Sequence, residues 1–335
     1  MVRPSRGAAR AAGLALGVAL DQLVGDPRRG HPVAGFGRVA GALEQRMHAD
    51  SRARGAAYSL LLVGSTTVLG AAVERRVRRG APALETVTVA AATWAVLGAR
   101  SLDREAAAVQ ALLDAGDLPG ARQRLTHLVG RRTAELSPEE VARAVAESVA
   151  ENTSDAVVAP LVWGAVAGVP GLVGYRAANT LDAMVGHRNA RFERFGWASA
   201  RLDDVLNVPG ARLSALLAAA AAPLVGGRPR DAFRAWRRDA GAHPSPNAGP
   251  VEASFAGALG VRLGGRTVYG APGAPARVED RPVLGDGRAV EVRDIARARH
   301  LARLVDLGAA VVAVAVASSW VGRRGKFVEV GRTAH

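Results

Sequence analysis

Gly55-Ala-Ala-Tyr-Ser-Leu-Leu-Leu-Val-Gly-Ser-Thr-Thr-Val-Leu-Gly-Ala-Ala-Val73 runs nineteen residues without a charged side chain. A helix needs roughly 20 apolar residues to cross the hydrocarbon of a bilayer, so this stretch predicts a membrane span. Working outward, five further apolar segments follow the same logic: residues 11–24, 82–99, 156–175, 205–227 and 307–322. A soluble all-helical protein with buried Ala-rich helices accounts for one such run; the five beyond the N-terminal segment favour a polytopic membrane protein. The expected fold is all-α: one integral membrane domain over residues 1–335, a helical bundle with broken or re-entrant segments and two polar regions, 100–155 and 228–305.

Two apolar runs are irregular. Residues 156–175 carry Pro160, Gly164, Gly168, Pro170, Gly171 and Gly174, and residues 205–227 carry Pro209, Arg212 and Pro223. Irregular backbone at membrane depth survives only beside protein or a watery cavity. Both are therefore expected to be broken or re-entrant next to an active site. The segment after Arg3, Arg6 and Arg10 is read as a retained helix and not a signal peptide, because Asp21 interrupts it without a clear small-residue cleavage site. Glu74 to Arg79 reads as a polar hairpin loop. Residues 100–155 read as helical, with Ser101 as one N-cap, Gly116 and Pro119-Gly120 as punctuation, and Ser137-Pro138-Glu139-Glu140 as a capping box. Residues 228–305 read as Gly- and Pro-rich loops followed by a polar helix from Val290.

Composition narrows the chemistry. The chain of 335 residues has no cysteine, which excludes disulfides, thiolate metal sites and a Cys nucleophile. Its net charge is +14, but all the basic residues except Lys326 are arginine. With so much Ala and Gly, that bias reflects GC-rich coding, so nucleic acid is not an expected partner. A basic surface facing anionic lipid or an anionic substrate suffices. No P-loop, G-x-S-x-G, H-E-x-x-H or dinucleotide fingerprint occurs, so any ATP chemistry must use another kind of site.

Four polar clusters separate the apolar blocks. The first holds Asp21, Asp26-Pro27, His31-Pro32 and Arg38. The second is Glu147-Ser-Val-Ala-Glu151-Asn152-Thr-Ser-Asp155. Glu147 and Glu151 share a helix face and repel unless a cation or an arginine sits between them; a structural Arg and a metal are equally good readings. The third contains Arg176, Asn179, Asp182, Gly186, Arg188, Asn189, Arg201, Asp203 and Asp204. Oxygen ligands from Asp182, Asp203 and Asp204 suit Mg²⁺ and phosphate, and Arg176, Arg188 and Arg201 suit bidentate phosphate contacts. A juxtamembrane basic belt with local ion pairs also explains the pattern. The fourth is the stiff loop His243-Pro-Ser-Pro-Asn247-Ala-Gly249, followed by Glu252.

Six motifs carry a resemblance: Gly25-Asp26-Pro27 with His31-Pro32; Glu147 through Thr153 to Pro160; Tyr175-Arg176-Ala-Ala-Asn179-Thr-Leu-Asp182-Ala-Met-Val-Gly186; Arg194-Phe-Gly-Trp197 with Arg201-Leu-Asp203-Asp204; His243 to Gly249; and Arg281-Pro-Val-Leu-Gly285-Asp286-Gly287. In this order they resemble the signatures of the CobD/CbiB family of cobalamin biosynthesis. His187 and Pro250-Val251 depart from the aromatic residues expected there, which bears on substrate fit more than on the reaction. The resemblance implies an adenosylcobinamide(-phosphate) synthase. Such an enzyme is an amide-forming ligase joining (R)-1-aminopropan-2-ol, or its O-phosphate, to the free propionate carboxyl of adenosylcobyric acid. ATP and Mg²⁺ are then the expected cosubstrate and ion, with no redox cofactor. The corresponding placement is multi-pass in the cell membrane, among lipid, with the site facing the cytoplasm and other corrinoid-pathway membrane enzymes as candidate neighbours. Expected catalytic residues are Glu147, Glu151, Asp182 and His243. Expected substrate contacts are Asp26, His31, Asn152, Arg176, Asn179, Arg188, Arg201 and Asn247, and expected metal ligands Asp182, Asp203 and Asp204. The competing class is a non-catalytic membrane sensor or transporter of the same ancestry; transport favours charges at mid-depth inside the spans, whereas here they cluster at the ends.

Overall fold

The computed structural model describes residues 6–27, 30–187, 189–270 and 277–319. Expectations for Arg3, Arg188, Lys326 and residues 320–322 lie outside them. In chain order the elements begin with α1 (Arg6–Val24), α2 (Pro32–Met47), α3 (Arg52–Val77), α4 (Pro82–Val96), α5 (Ala99–Asp114), α6 (Leu118–Leu125) and α7 (Pro138–Thr153). A π-helical turn (Ser154–Val158) leads to α8 (Ala159–Ala167), α9 (Val169–Val185) and α10 (Trp197–Ala221). A 3₁₀ turn (Ala222–Val225) precedes α11 (Pro229–Asp239), then α12 (Ala248–Leu259), β1 (Leu263–Tyr269), β2 (Arg277–Leu284) and α13 (Asp294–Ser319).

Among the described residues, five helical segments are long and apolar enough to cross a membrane: Gly7–Val24, Arg52–Val77, Pro82–Asp114, Trp197–Val225 and Asp294–Ser319. Their exposure makes the same point. Only 22% of the apolar window of α3 is buried, and Leu60, Leu61, Val68 and Leu69 project outward from it. Contiguous apolar surface of this kind belongs against lipid. The fold is an all-α polytopic membrane protein with one small hairpin.

The chain forms two compact units: Met1–Gly98, Ala159–Leu206 and Ala309–His335 in the first, and Ala99–Val158 with Asn207–Gly308 in the second. In the first, α1 packs on α4 and α3 on α9. Small residues allow the close approach. A Cβ on Gly13 would lie 2.6 Å from the Val89 Cβ, and one on Gly17 would collide with Thr93. Across the other pair, Gly70 faces Pro170 and Val173, and Gly174 faces Thr67. Tyr58, Leu62, Leu181, Val185 and Phe195 form a core against which Phe36 and Met184 pack.

The run 156–175 is broken as expected, by the π turn and by Gly168 between α8 and α9. The run 205–227 behaves differently. α10 continues through Pro209 to Ala221, and the irregularity comes only at the following 3₁₀ turn. Next to Pro209, the indole N–H of Trp163 donates to the Leu206 carbonyl at 2.8 Å, satisfying a backbone group near the one proline leaves open.

Several local readings change. Ser101 lies inside α5, which starts at Ala99. Pro119 is the second residue of α6, behind the N-cap Asp117, so the break between α5 and α6 falls just before it, at 115–117. Glu74 to Val77 are the last turn of α3, so only the residues after them turn. Residues 228–293 hold two helices and an antiparallel hairpin in place of loops alone, and the polar helix begins at Asp294. The amphipathic spacing of Ala232 and Ala235 and the β-branched residues of β1 and β2 sit between Gly and Pro signals that dominate a local reading.

Candidate active site

The second unit assembles a buried charged centre on α7, α12 and the hairpin. α7 starts as its sequence dictates: Ser137 Oγ accepts the Glu140 N–H and the Glu140 carboxylate accepts the Ser137 N–H. Beyond that first turn the helix is rich in small and β-branched side chains and is buried almost all round, so it carries Glu147 inward. Glu147 accepts Arg131 Nη2 at 2.6 Å and the Gly264 N–H at 2.8 Å, with Arg143 Nε at 4.0 Å. An arginine partner, one of the two readings of the Glu147–Glu151 pair, is present in Arg131. Arg143 also donates to the Gly264 carbonyl, which fastens β1 to α7.

Glu151, one turn on, keeps an exposed side chain. Crowding protein nevertheless pushes its carboxyl above the usual range, against the pull of Arg281 and Arg131 and with a push from Glu147.

His243 and Glu252 lie behind it. Their side chains are 4% and 2% exposed, and His243 Nε2 is 3.7 Å from Glu252 Oε1. That separation is too long for a hydrogen bond, and neither of these two atoms has a hydrogen-bond partner. His243 Nδ1 accepts the Ser245 N–H at 3.1 Å. The same Nδ1 lies 3.3 Å from the Ser245 carbonyl, so the loop backbone holds the ring and leaves Nε2 facing Glu252 in either tautomer. Burial lowers the His243 pKa. Burial also raises that of Glu252 well above the ordinary carboxylate value, reinforced by Glu147 and Glu151 and opposed by Arg281 and Arg131. Burial works against the charge of Arg281, but Tyr269 and the three glutamates hold it on; Arg281 Nη2 donates to the Tyr269 hydroxyl at 2.7 Å. In the same loop as His243, Asn247 is buried and its Oδ1 accepts Arg212 Nη1 at 2.7 Å. Asn152 turns back on its own helix, donating to the Ser148 carbonyl at 2.9 Å.

The first unit holds the remaining expected residues. Asp26 Oδ1 is 3.4 Å from His31 Nε2, while His31 Nδ1 accepts the Val33 N–H and caps α2. Arg176 donates to Asn179 Oδ1 at 3.4 Å, and Asn179 Nδ2 donates to Asp203 Oδ1 at 3.3 Å. These links join α9 to α10. Asp204 pairs loosely with exposed Arg201 at 3.8 Å. Asp182 is half-buried near the end of α9, its Oδ1 lying over Gly186. Among the described residues, no three His, Cys, Asp or Glu side chains converge on a metal-sized site. Asp182, Asp203 and Asp204, expected as metal ligands, do not form such a group.

Glu252, Arg131, Arg281 and Arg212 were not among the residues assigned from sequence. Glu252 and Arg281 lie in or beside recognised motifs, which is the signal that could have found them. Arg131 and Arg212 stand in unremarkable sequence.

Fold and charged centre together define a polytopic helical membrane protein with a buried acid–imidazole–guanidinium cluster outside its spans. The family described as "CobD/Cbib protein" matches residues 14–302. "Cobalamin biosynthesis protein CobD" of Mycobacterium tuberculosis (strain ATCC 25618 / H37Rv) is 53% identical over 305 residues, covering 91% of this chain and 95% of that protein. The protein of that name from Rhodobacter capsulatus is 43% identical over 320 residues, 92% of this chain and 98% of its own. No solved structure gives a significant match. The chain belongs to the CobD/CbiB family, and with that membership goes a role in cobalamin biosynthesis.

Proposed function

We propose that this chain is an adenosylcobinamide(-phosphate) synthase, joining adenosylcobyric acid to (R)-1-aminopropan-2-ol or its O-phosphate at the expense of ATP. A carboxylate does not react with an amine at neutral pH, because its leaving group would be oxide. Conversion to an acyl phosphate or acyl adenylate supplies a leaving group. The amine nitrogen then forms the C–N bond, the C–O bond to phosphate or AMP breaks, and one proton leaves the nitrogen.

The observation that carries this reading is the accessible, desolvated Glu151 beside the buried His243–Glu252 contact. A proton acceptor works best with a pKa near the operating pH, and crowding moves Glu151 that way. Glu147, held by Arg131 and Gly264, positions the strand and the arginine. Arg281 and Arg131 offer guanidinium groups to an anionic oxygen in the same centre. In the first unit Arg176 and Arg201 suit phosphate, and Asp182 or Asp203 offers a single carboxylate to Mg²⁺ that arrives on the phosphates. When bound, Mg²⁺ would neutralise phosphate charge. The site faces the cytoplasm, where ATP is available, and the protein resides in the cell membrane.

Deleting the gene tests the reading. Adenosylcobyric acid should accumulate, detected by mass spectrometry, and added cobinamide should restore cobalamin. Normal cobalamin synthesis in the mutant, with no second copy of the gene, would sink the proposal.

A further inference from the structure

Two carboxylates of the charged centre are short of hydrogen-bond donors. Glu151 is exposed and receives no donor from the described residues. Glu252 Oε1 receives none either, although the side chain is only 2% exposed, and His243 Nε2, 3.7 Å away, is likewise unpartnered. A buried polar atom in that condition costs stability. α12 packs on α7, and the charge of Glu151 raises the pKa of Glu252, so the two acids share one field. The basic side chains around them are engaged elsewhere. Arg131 Nη2 donates to Glu147 at 2.6 Å. Arg281 Nη2 donates to the Tyr269 hydroxyl at 2.7 Å, and its Nε stands 3.7 Å from Glu279. Arg143 donates to the carbonyls of Gly264 and Arg266 and reaches Glu147 only at 4.0 Å. These arginines supply field to Glu151 and Glu252 but no N–H. What the pair of acids lacks is a cation that brings its own donors.

The acceptors select the kind of cation. A hard divalent ion takes about six or more oxygen ligands, and among the described residues no three His, Cys, Asp or Glu side chains converge on such a site. A primary ammonium is a compact charge with three N–H donors. Two carboxylates and one neutral acceptor or water satisfy it. Glu151 is open to solvent, so a ligand meets it first, with buried Glu252 behind.

We propose that Glu151 and Glu252 form a subsite for the ammonium group of a small primary amine, which binds as a cation, hydrogen-bonded to Glu151 in the field of Glu252. Only the identity of the amine, a short amino alcohol, rests on the reading of the chain as an amide-forming synthase. Binding in this form places the nitrogen against the acid that then takes its proton, and it offsets the mutual repulsion of the glutamates.

The test is calorimetric titration of the whole protein in detergent, without nucleotide or corrinoid, against three probes: 1-aminopropan-2-ol, its N-trimethylated derivative and uncharged propane-1,2-diol. The primary amine should bind. The trimethylated probe keeps the charge without an N–H, and the diol has neither, so each should bind about tenfold or more weakly. This comparison uses the unmodified protein and does not depend on any variant folding. Glu151→Gln, at an exposed position, and Glu252→Gln, which keeps the side-chain shape, should each weaken the amine by a similar factor, with thermal unfolding reporting that the fold is intact. Three results overturn the proposal: no amine binding up to about 10 mM, above the usual range of KM; equal affinity for all three probes; or an amine affinity unchanged by either substitution. Failure here leaves the deletion phenotype, and with it the synthase reading, standing. A deletion strain that makes cobalamin normally removes that reading and leaves the ammonium subsite to be judged on the titrations.

Discussion

Glu74 in the first unit and Glu252 in the second are both buried carboxylates, 4% and 1% exposed, with opposite surroundings. Glu74, at the end of α3, takes guanidinium groups from Arg10 at 3.3 Å and from Arg78. Arg78 also reaches buried Glu85 at 2.9 Å, and Arg10 caps the Ala165 and Val166 carbonyls at 3.1 Å. That network ties α1, α3, α4 and α8 together. Glu252 Oε1 has an imidazole 3.7 Å away and no hydrogen-bond partner, and its field sets two further glutamates against Arg281 and Arg131. A buried charge with good partners holds a fold; a buried acid kept short of partners costs stability, and a fold retains it where chemistry uses it.

The sharpest way to break this contrast is Glu252→Gln. Amide formation by purified protein, followed by mass spectrometry of corrinoids, should fall about 10²–10⁴-fold, while thermal unfolding stays level or rises because an unfavourable buried acid is gone. Unchanged turnover would make Glu252 a second Glu74. Glu74→Ala should do the reverse. Leaving Arg10 and Arg78 without their acid should cost about 3 kcal/mol, lowering the unfolding temperature and the yield in membranes, with turnover per folded molecule retained.

Gly17→Leu tests the α1–α4 contact by overpacking at Thr93 and should destabilise by about 1–3 kcal/mol; a wild-type melting curve would mean that the two helices do not rely on that approach. Ser137→Ala removes one half of the capping box and should cost about 1 kcal/mol, read by the same thermal assay. The smallest expected effect is in pH. His243 has a folded pKa below its unfolded value of 6.5. The unfolded chain therefore binds the extra proton first, and native stability falls as pH drops below about 6.5. Glu252 acts with the opposite sign, being raised from 4.5, so its contribution is fullest at low pH and declines as pH climbs above that value. His243→Asn should flatten the first loss, visible as a smaller drop in melting temperature between neutral and mildly acidic buffer.

Much of this was legible in the chain. Apolar runs marked the spans through α3 and α4 directly, because a membrane imposes a length and a polarity on each helix separately, while the run 205–227, expected to be broken, is continuous to Ala221. Ser137-Pro138-Glu139-Glu140 specified its own helix start. Gly13-Leu-Ala-Leu-Gly17 carried a close-packing signal that went unused. The six motifs named the family. The partner of each acid was not legible. Glu147 meets Arg131 and the Gly264 amide, and Glu252 meets His243, through packing between elements far apart in sequence. The same spacing of acids allowed a metal or an arginine, and only tertiary proximity selects between them. The hairpin was hidden because Gly and Pro mark both loops and the turns of a two-stranded ribbon. Whether Glu74 and Glu252 are anchors or working groups was likewise decided in three dimensions, since desolvation and field strength depend on every neighbour that the fold brings near.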